Sequence, residues 1–149
     1  MSKPLVENKK AGLEYEFIDM YEAGMELLGT EVKSLRNGKA SLIGARVVVR
    51  GNEAFLTGAT ISPYQVGNTP KDYDPERTRR LLISQKELNE LLGADSKGGL
   101  TIVPIMVYNK GRFLKLSFAL ARKKKKQDKR AALKERDERR GMERTLKGQ

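Results

Sequence analysis

Residues 100–121 read LTIVPIMVYNKGRFLKLSFALA, and that stretch decides the fold. Apolar residues fill both halves, and Asn109-Lys110-Gly111 interrupts them with turn chemistry. Residues 100–108 and 113–121 are therefore predicted as two long strands of one hairpin. Upstream, residues 96–99 read as a turn and Ser84-Gln85-Lys86-Glu87 as a capping box. Leu88, Leu91 and Leu92 then share a helical face, with Gly93 as the expected stop. Residues 67–78, with Pro70 and Pro75, read as a loop. A second hairpin is expected where Val47-Val48-Val49 and Ala54-Phe55-Leu56 flank Gly51-Asn52, with Ile61 extending it until Pro63 removes a ladder donor. Thr30 is the expected N-cap of a short helix, TEVKSLRN, that Gly38 stops. Glu31 in its first turn and Arg36 near its end both suit the helix macrodipole. Leu13, Tyr15 and Phe17 alternate with Glu14 and Glu16 as in a strand, and Ala23-Gly24 reads as a hairpin break before Met25 and Leu27.

These signals add to about six strands and two or three short helices. The predicted class is mainly β with short helices: a six-stranded antiparallel barrel of the oligonucleotide-binding (OB) type, because closure removes exposed strand edges. It spans residues 12–121, after a flexible N-terminal arm (1–11) and before a basic tail (122–149). The run 123–126 acts as the hinge.

The tail holds most of the charge. Residues 122–149 carry 13 of the 30 Lys/Arg and only 5 of the 19 Asp/Glu, a net +8 of the chain's +11. Ala131, Ala132, Leu133, Met142 and Leu146 are its only apolar residues, too few for a core. Such a cluster repels itself until it meets a polyanion, where counterion release drives binding. On a helix, Lys129, Arg136, Arg140, Arg144 and Lys147 form one stripe, with Glu135–Arg139 and Glu143–Lys147 as i,i+4 pairs worth roughly 0.2–0.5 kcal/mol each. Ordering costs roughly 1–2 kcal/mol per residue, so the tail is predicted disordered when free and helical on a phosphate surface. The bland alternative is a solubilising tail. A membrane-surface helix is disfavoured, because the tail has no Trp or Phe and a thin apolar face. Lys33, Arg36 and Lys39 offer a second cationic site, unless they are merely a solvated helix face.

Catalysis is not expected. The chain has no His and no Cys, which removes the usual general base, the commonest metal ligands and disulfides. Ser34, Ser41, Ser62 and Ser84 lack a nucleophile-elbow context and any His to activate them. Gly98-Gly99 lacks the Lys-Ser/Thr of a phosphate loop, and Asp72, Asp74 and Glu76 lack the rest of a calcium loop. No metal or cofactor is predicted. Without an apolar span or a signal-peptide apolar region, the expected setting is the cytoplasm, with no membrane partner.

The strings YEAGMELLGTEVKSLRNGKASL, DPERTRRLL and DKRAALKERDERR, in that order, resemble the bacterial small protein B family, the SsrA-binding proteins. The likeness runs from about Asn8 to Lys147. It implies an OB-like barrel that binds the tRNA-like domain of tmRNA and, with alanyl-tmRNA and elongation factor Tu, enters ribosomes stalled on messages lacking a stop codon. The barrel stands in for the missing anticodon stem, and the tail occupies the decoding centre and the empty mRNA channel. The ribosome performs the peptidyl transfer, so the protein, expected as a monomer, is no enzyme.

By the same resemblance, Asn8, Glu22, Glu31, Lys33, Arg36, Lys39 and Leu82 match positions on the tmRNA-facing side. Lys33, Arg36 and Lys39 are assigned to phosphates. Asn8 and Glu22 either hydrogen-bond bases and sugars or brace neighbouring cations. Glu31 either faces RNA or serves the helix N-terminus, and Leu82 is either core or an apolar wall against the RNA. Asp128, Lys129 and Arg130 match the decoding-centre motif. Lys134, Arg136, Arg139, Arg140, Arg144 and Lys147 would follow the mRNA channel. Leu13 stands where many relatives carry a stacking His, and the tail lacks the stacking aromatic or His of some relatives. The other-class alternative is a general RNA chaperone or ribosome-assembly factor.

Overall fold

The computed structural model describes residues 4–65, 67, 70–95 and 98–125. In chain order its elements are β1 (Pro4–Glu7), α1 (Ala11–Glu14), β2 (Tyr15–Met25), α2 (Gly29–Arg36), β3 (Ala40–Ser41), β4 (Arg46–Arg50), β5 (Glu53–Thr57), β6 (Thr60–Ile61), β7 (Arg79–Leu82), α3 (Gln85–Asp95), β8 (Thr101–Lys110) and β9 (Phe113–Lys123). The protein is mainly β with short helices, and every strand pair among the described residues is antiparallel.

The expected β8–β9 hairpin forms, with β2–β9, one of the two longest pairings of the sheet, running from Thr101↔Ala121 to Lys110↔Phe113. Gly111, at φ 63°, supplies the left-handed residue that so tight a turn requires. The Gly51 turn between β4 and β5 is built the same way, at φ 58°. The main sheet has the order β1-β8-β9-β2-β7-β5-β4, and β3–β6 form a separate ribbon. The sheet curls until its edge strand β4 lies against β8 without joining its ladder. The result is an OB-like barrel with an open seam and seven strands in its main sheet, not six. Inward-facing Val47, Leu56, Leu81, Val107, Leu116 and Phe118 fill it, together with Leu35 from α2 and Leu88 and Leu91 from α3. Each such side chain contributes roughly 1.5–3 kcal/mol by burial.

Several local expectations are corrected. Residues 4–7 of the supposed arm form β1, which covers the edge of β8, and Val6 and Ala11 are buried. Pro4 begins the strand, where its missing N–H costs little. No hairpin breaks at Ala23-Gly24. β2 runs through it with a bulge between Phe17 and Asp19, and Gly24 pairs with both Leu82 and Lys115. Leu13 belongs to α1, so the strand starts later than its alternation implied. The N-cap of α2 is Leu28 rather than Thr30, since the Glu31 side chain reaches back to accept the Leu28 N–H at 2.9 Å. α3 continues past Gly93 to Asp95. β9 continues past Ala121, pairing Arg122 with Glu16 and Lys123 with Tyr15, while the Lys124 N–H reaches Glu14 O at 2.9 Å. The hinge placed at 123–126 therefore begins inside the sheet. The short strand β7 was hidden by its two arginines.

One of those arginines closes the fold. Glu31 and Arg79 are 1% and 0% exposed. Arg79 Nη2 and Nε lie 2.6 and 3.0 Å from Glu31 Oε2, and Arg77 Nη2 lies 2.5 Å from Oε1. The Tyr73 hydroxyl donates within reach of Oε2 (3.0 Å) and of Ile61 O (2.9 Å). The remaining Arg79 donors go to Ala59 O (2.8 Å) and Pro75 O (2.9 Å). Burial alone would raise the Glu31 carboxyl, but hydrogen bonds from Arg77, the Leu28 amide and Arg79 outweigh it and hold it below the ordinary 4.5.

Removing one partner from such a pair leaves an uncompensated buried charge. Arg79→Met is thus expected to lower the unfolding free energy by about 3–5 kcal/mol in urea titrations. Because the folded-state acid is depressed, its contribution is full above pH 4.5 and is lost as pH falls through the folded value. The acid limb of a wild-type stability profile should therefore be steeper than that of Glu31→Gln.

Candidate nucleic-acid interface

α2 buries Glu31, Ser34 and Leu35 and turns Lys33 and Arg36 outward. Ser34 Oγ donates to Ser62 O at 2.7 Å, which pins the helix to the loop that follows β6. Lys33 Nζ sits 5.6 Å from the Tyr64 ring centroid, a cation–π contact that holds the ammonium at the surface. Arg36 Nη2 donates to Arg112 O at 3.3 Å, bringing its guanidinium to the β8–β9 turn. Lys39 follows Gly38 (φ 71°) and is fixed by its backbone, with its N–H on Ser34 O (2.9 Å) and its carbonyl accepting from Ser62 N (3.0 Å). The three cations thus occupy the C-terminal end of α2 and the residues just beyond it, where the helix dipole favours positive charge.

The outer face of the sheet adjoins this helix. Glu22 accepts from Lys110 Nζ at 2.9 Å and from the Tyr108 hydroxyl. Those two bonds, the tyrosine's first, hold the Glu22 carboxyl below its ordinary range; burial and Glu22 in turn push Tyr108 up to about 12. Glu22 thus braces Tyr108 and Lys110. Lys115 stands across from Gly24, beside Leu82. Between this row and α2 lies a groove of about 360 Å³ lined by Leu27, Val32, Leu82, Arg112, Phe113 and Lys115, among others.

Glu22, Leu82 and Arg36 are thus gathered around one surface. Leu82 is 50% exposed and not core. Glu31 lies beneath that surface, at the N-terminus of α2, and cannot touch an RNA; of its two readings the helix-end role is the one the geometry supports. Asn8 sits elsewhere, its backbone N–H on Ile105 O (2.7 Å) and its Nδ2 on Pro104 O (3.0 Å), so it braces the β1–α1 junction against β8. The half-buried Leu13 in α1 stands where the resemblance expects a stacking His. Asp128, Lys129, Arg130, Lys134, Arg136, Arg139, Arg140, Arg144 and Lys147 lie outside the described residues. Sequence reasoning missed Arg112, Phe113 and Lys115. The signal was present in β9, where Phe113, Lys115 and Ser117 alternate with buried Leu114, Leu116 and Phe118. Among the described residues, no group of three or more carboxylates could hold a metal ion, and no helix is long and apolar enough to cross a membrane.

The family model described as SmpB protein matches residues 5–148. An SsrA-binding protein of Gloeothece citriformis is 43% identical over 146 residues, covering 98% of this chain and 94% of the relative. One from Clostridium acetobutylicum is 46% identical over 143 residues, covering 96% and 92%. A chain in a solved structure described as "tmRNA-SmpB: a journey to the center of the bacterial ribosome" superposes with a TM-score of 0.66 at 39% identity, over 85% of this chain and 92% of that one. With a family model matched along nearly its whole length and relatives of that identity, the chain belongs to the SmpB protein family.

Proposed function

We propose that this protein binds the tRNA-like domain of tmRNA (SsrA RNA) and brings it to ribosomes stalled on messages without a stop codon. The observation that carries this reading is the surface where Arg36, Arg112 and Lys115 stand beside exposed Leu82 and Phe113, on a chain whose relatives are named for binding SsrA. Cations there take phosphates, which position an RNA without reading its sequence. Glu22, already committed to Tyr108 and Lys110, holds in place the Lys110 ammonium, which keeps protons to donate, and the Tyr108 hydroxyl oxygen, which can accept from sugars and bases. Asn8 acts by fixing the β1–α1 junction against β8, and Glu31 acts only through α2.

The barrel stands in for the anticodon stem, and the tail enters the decoding centre and the empty mRNA channel through Asp128–Arg130 and the cations after them. The tail folds into a helix there, where phosphates relieve its self-repulsion. Elongation factor Tu accompanies the alanyl-tmRNA, and peptidyl transfer belongs to the ribosome. The protein works in the cytoplasm as an RNA-binding partner, not an enzyme.

Removing residues 126–149 leaves β9 and the Lys124–Glu14 hydrogen bond intact. Such a truncation should bind isolated tmRNA much as the full chain does, yet fail to tag nascent chains on stalled ribosomes. Leu133→Pro, which breaks a helix without changing charge, should reproduce that split in the full-length protein. Parallel gel-shift and tagging assays check both, and equal loss of the two activities on truncation would refute the division of labour. If the truncated protein binds unrelated stem-loops as tightly as tmRNA, it is a general RNA chaperone.

The triple replacement of Lys33, Arg36 and Lys39 by Ala should weaken tmRNA binding and flatten its salt dependence. The log–log slope should fall by about 0.7–0.9 for each phosphate that is no longer neutralised. An unchanged slope in binding isotherms over a salt series would return these residues to a solvated face.

A further inference from the structure

In a chain of net charge +11, a surface groove without cations calls for an explanation. One lies where the first half of β2 meets α3, with a volume of about 410 Å³. Ile18, Asp19 and Tyr21 of β2 line it with Asn89, Glu90 and Ala94 of α3, among others. Among the described residues, no Lys or Arg lines it, and neither Asp19 nor Glu90 is in a salt bridge. Glu87 stands three residues before Glu90 on the same helix, also outside any salt bridge, so the two repel. Tyr21 feels this crowding. Burial first, then its 3.2 Å hydrogen bond to Glu90 and the charges of Glu90, Asp19 and Glu87, push it up to about 12.

The groove is also apolar. The bulge between Phe17 and Asp19 sets Ile18 out of the ladder, where it is 42% exposed, with half-buried Leu100 and buried Leu120 beside it. Carboxylates around an apolar bed repel a nucleic acid and fit a cationic segment that brings apolar side chains of its own. The chain itself carries one. On a helix, Ala132 and Leu133 fall on the same face as Lys129, Arg136 and Arg140. That face is apolar between its basic ends, the complement of the groove. The point of departure fits as well. The Lys124 N–H is held on Glu14 O, and Leu120 lies four residues back along β9, roughly 14 Å at the rise of a strand. Residues 125–128 are enough for one reverse turn, and a helix over 129–140 would be about 18 Å long.

We infer that, when no RNA is bound, residues 129–140 dock as a helix in the groove between β2 and α3 of their own chain, with Leu133 beside Ile18 and Arg136 and Arg140 on Asp19 and Glu90. An isolated tail has too little apolar surface to order itself; the body supplies both that surface and the counter-charge. Tethering holds the segment at its groove at an effective concentration of about millimolar, so weak contacts are enough to populate the docked state. The docked face bears Lys129, Arg136 and Arg140 of the expected phosphate-binding stripe. Docking and RNA binding by the tail therefore exclude each other. The groove keeps a basic tail off unintended polyanions until a phosphate surface outcompetes its carboxylates. This holds whichever RNA the body recognises.

The chain has no Cys, so Met142→Cys, two residues beyond the docked helix, gives a single thiol for a nitroxide label. In the isotope-labelled, full-length protein free of RNA, the label should broaden the amide signals of Ile18, Tyr21, Asn89 and Ala94. High salt or a short single-stranded oligoribonucleotide should restore them, because each competes for the tail's cations. Asp19→Asn with Glu90→Gln should abolish the broadening, and so should Leu133→Asp. Arg136→Glu with Arg140→Glu should lose the contact, and adding Asp19→Lys with Glu90→Lys should regain it. A variant that merely misfolds cannot show that rescue. Sharp groove signals in the labelled protein, broadening that survives Asp19→Asn/Glu90→Gln, or charge exchange without rescue overturns the inference. So does broadening that arises only when a nitroxide-bearing second copy is mixed in, since the tail would then dock on another molecule. Failure of the tmRNA reading leaves all of these results untouched, because no tmRNA enters the experiment.

Discussion

Everything that faces outward depends on one carboxylate that faces inward. Glu31 leaves water at the first turn of α2 and is answered by two guanidiniums, a tyrosine hydroxyl and the Leu28 amide. These donors come from different stretches of chain. Arg79 belongs to β7, Arg77 and Tyr73 to the loop before it, and the remaining Arg79 donors reach the backbone beside β6. A buried ion pair adds little net stability, because desolvation offsets most of its attraction, yet leaving either charge alone is expensive. Its main effect here is therefore on position: α2, the loop and the β5–β6 corner have one joint arrangement that satisfies the carboxylate.

That arrangement sets where the cations stand. Lys33 and Arg36 lie on the helix face opposite Glu31, Ser34 and Leu35, so the contacts that hold the helix down also aim its charges. From there the surface continues across the β8–β9 turn onto the outer face of the sheet, where strand alternation puts Phe113, Lys115 and Ser117 outward. Elements far apart in sequence become one surface because β9 is flanked by β8 and β2, and β2 by β7. The body needs little net charge for this. Among the described residues, Arg36, Arg112 and Lys115 stand in one place outside any salt bridge, and that local excess matters more than the total.

The seam of the barrel shows how the ends of the chain are used. β1 extends the sheet beyond β8, and β9 runs on until Lys123 faces Tyr15. Both ends of the described chain are therefore anchored by backbone ladders. Arg122 and Lys123 belong to the sheet despite a composition that matches the tail. A basic tail that starts from a fixed strand end has a defined point of departure beside α1.

Sequence alone determined whatever rests on local pattern. Apolar runs on either side of turn residues located β8, β9, β4 and β5; Gly51 and Gly111 located their turns; Ser84 with Glu87 located the start of α3; charge counting separated a near-balanced body from a basic tail. Motif likeness identified the family. What local pattern cannot carry is partnership over distance. Nothing in residues 4–7 announces that the edge of β8 is waiting for them, and Ala23-Gly24 looks like a turn unless Leu82 and Lys115 are known to lie alongside. Glu31 reads as a surface acid at a helix N-terminus, and Arg79 as one more base in an arginine pair, because burial of a charge is tolerable only once its counter-charge arrives from 48 residues away. Leu82 reads equally as core or as an exposed apolar wall for the converse reason: the face that a four-residue strand turns to solvent is decided by its neighbours in the sheet. The tertiary structure settled those cases, since desolvation and pairing are properties of the assembled chain and of no segment within it.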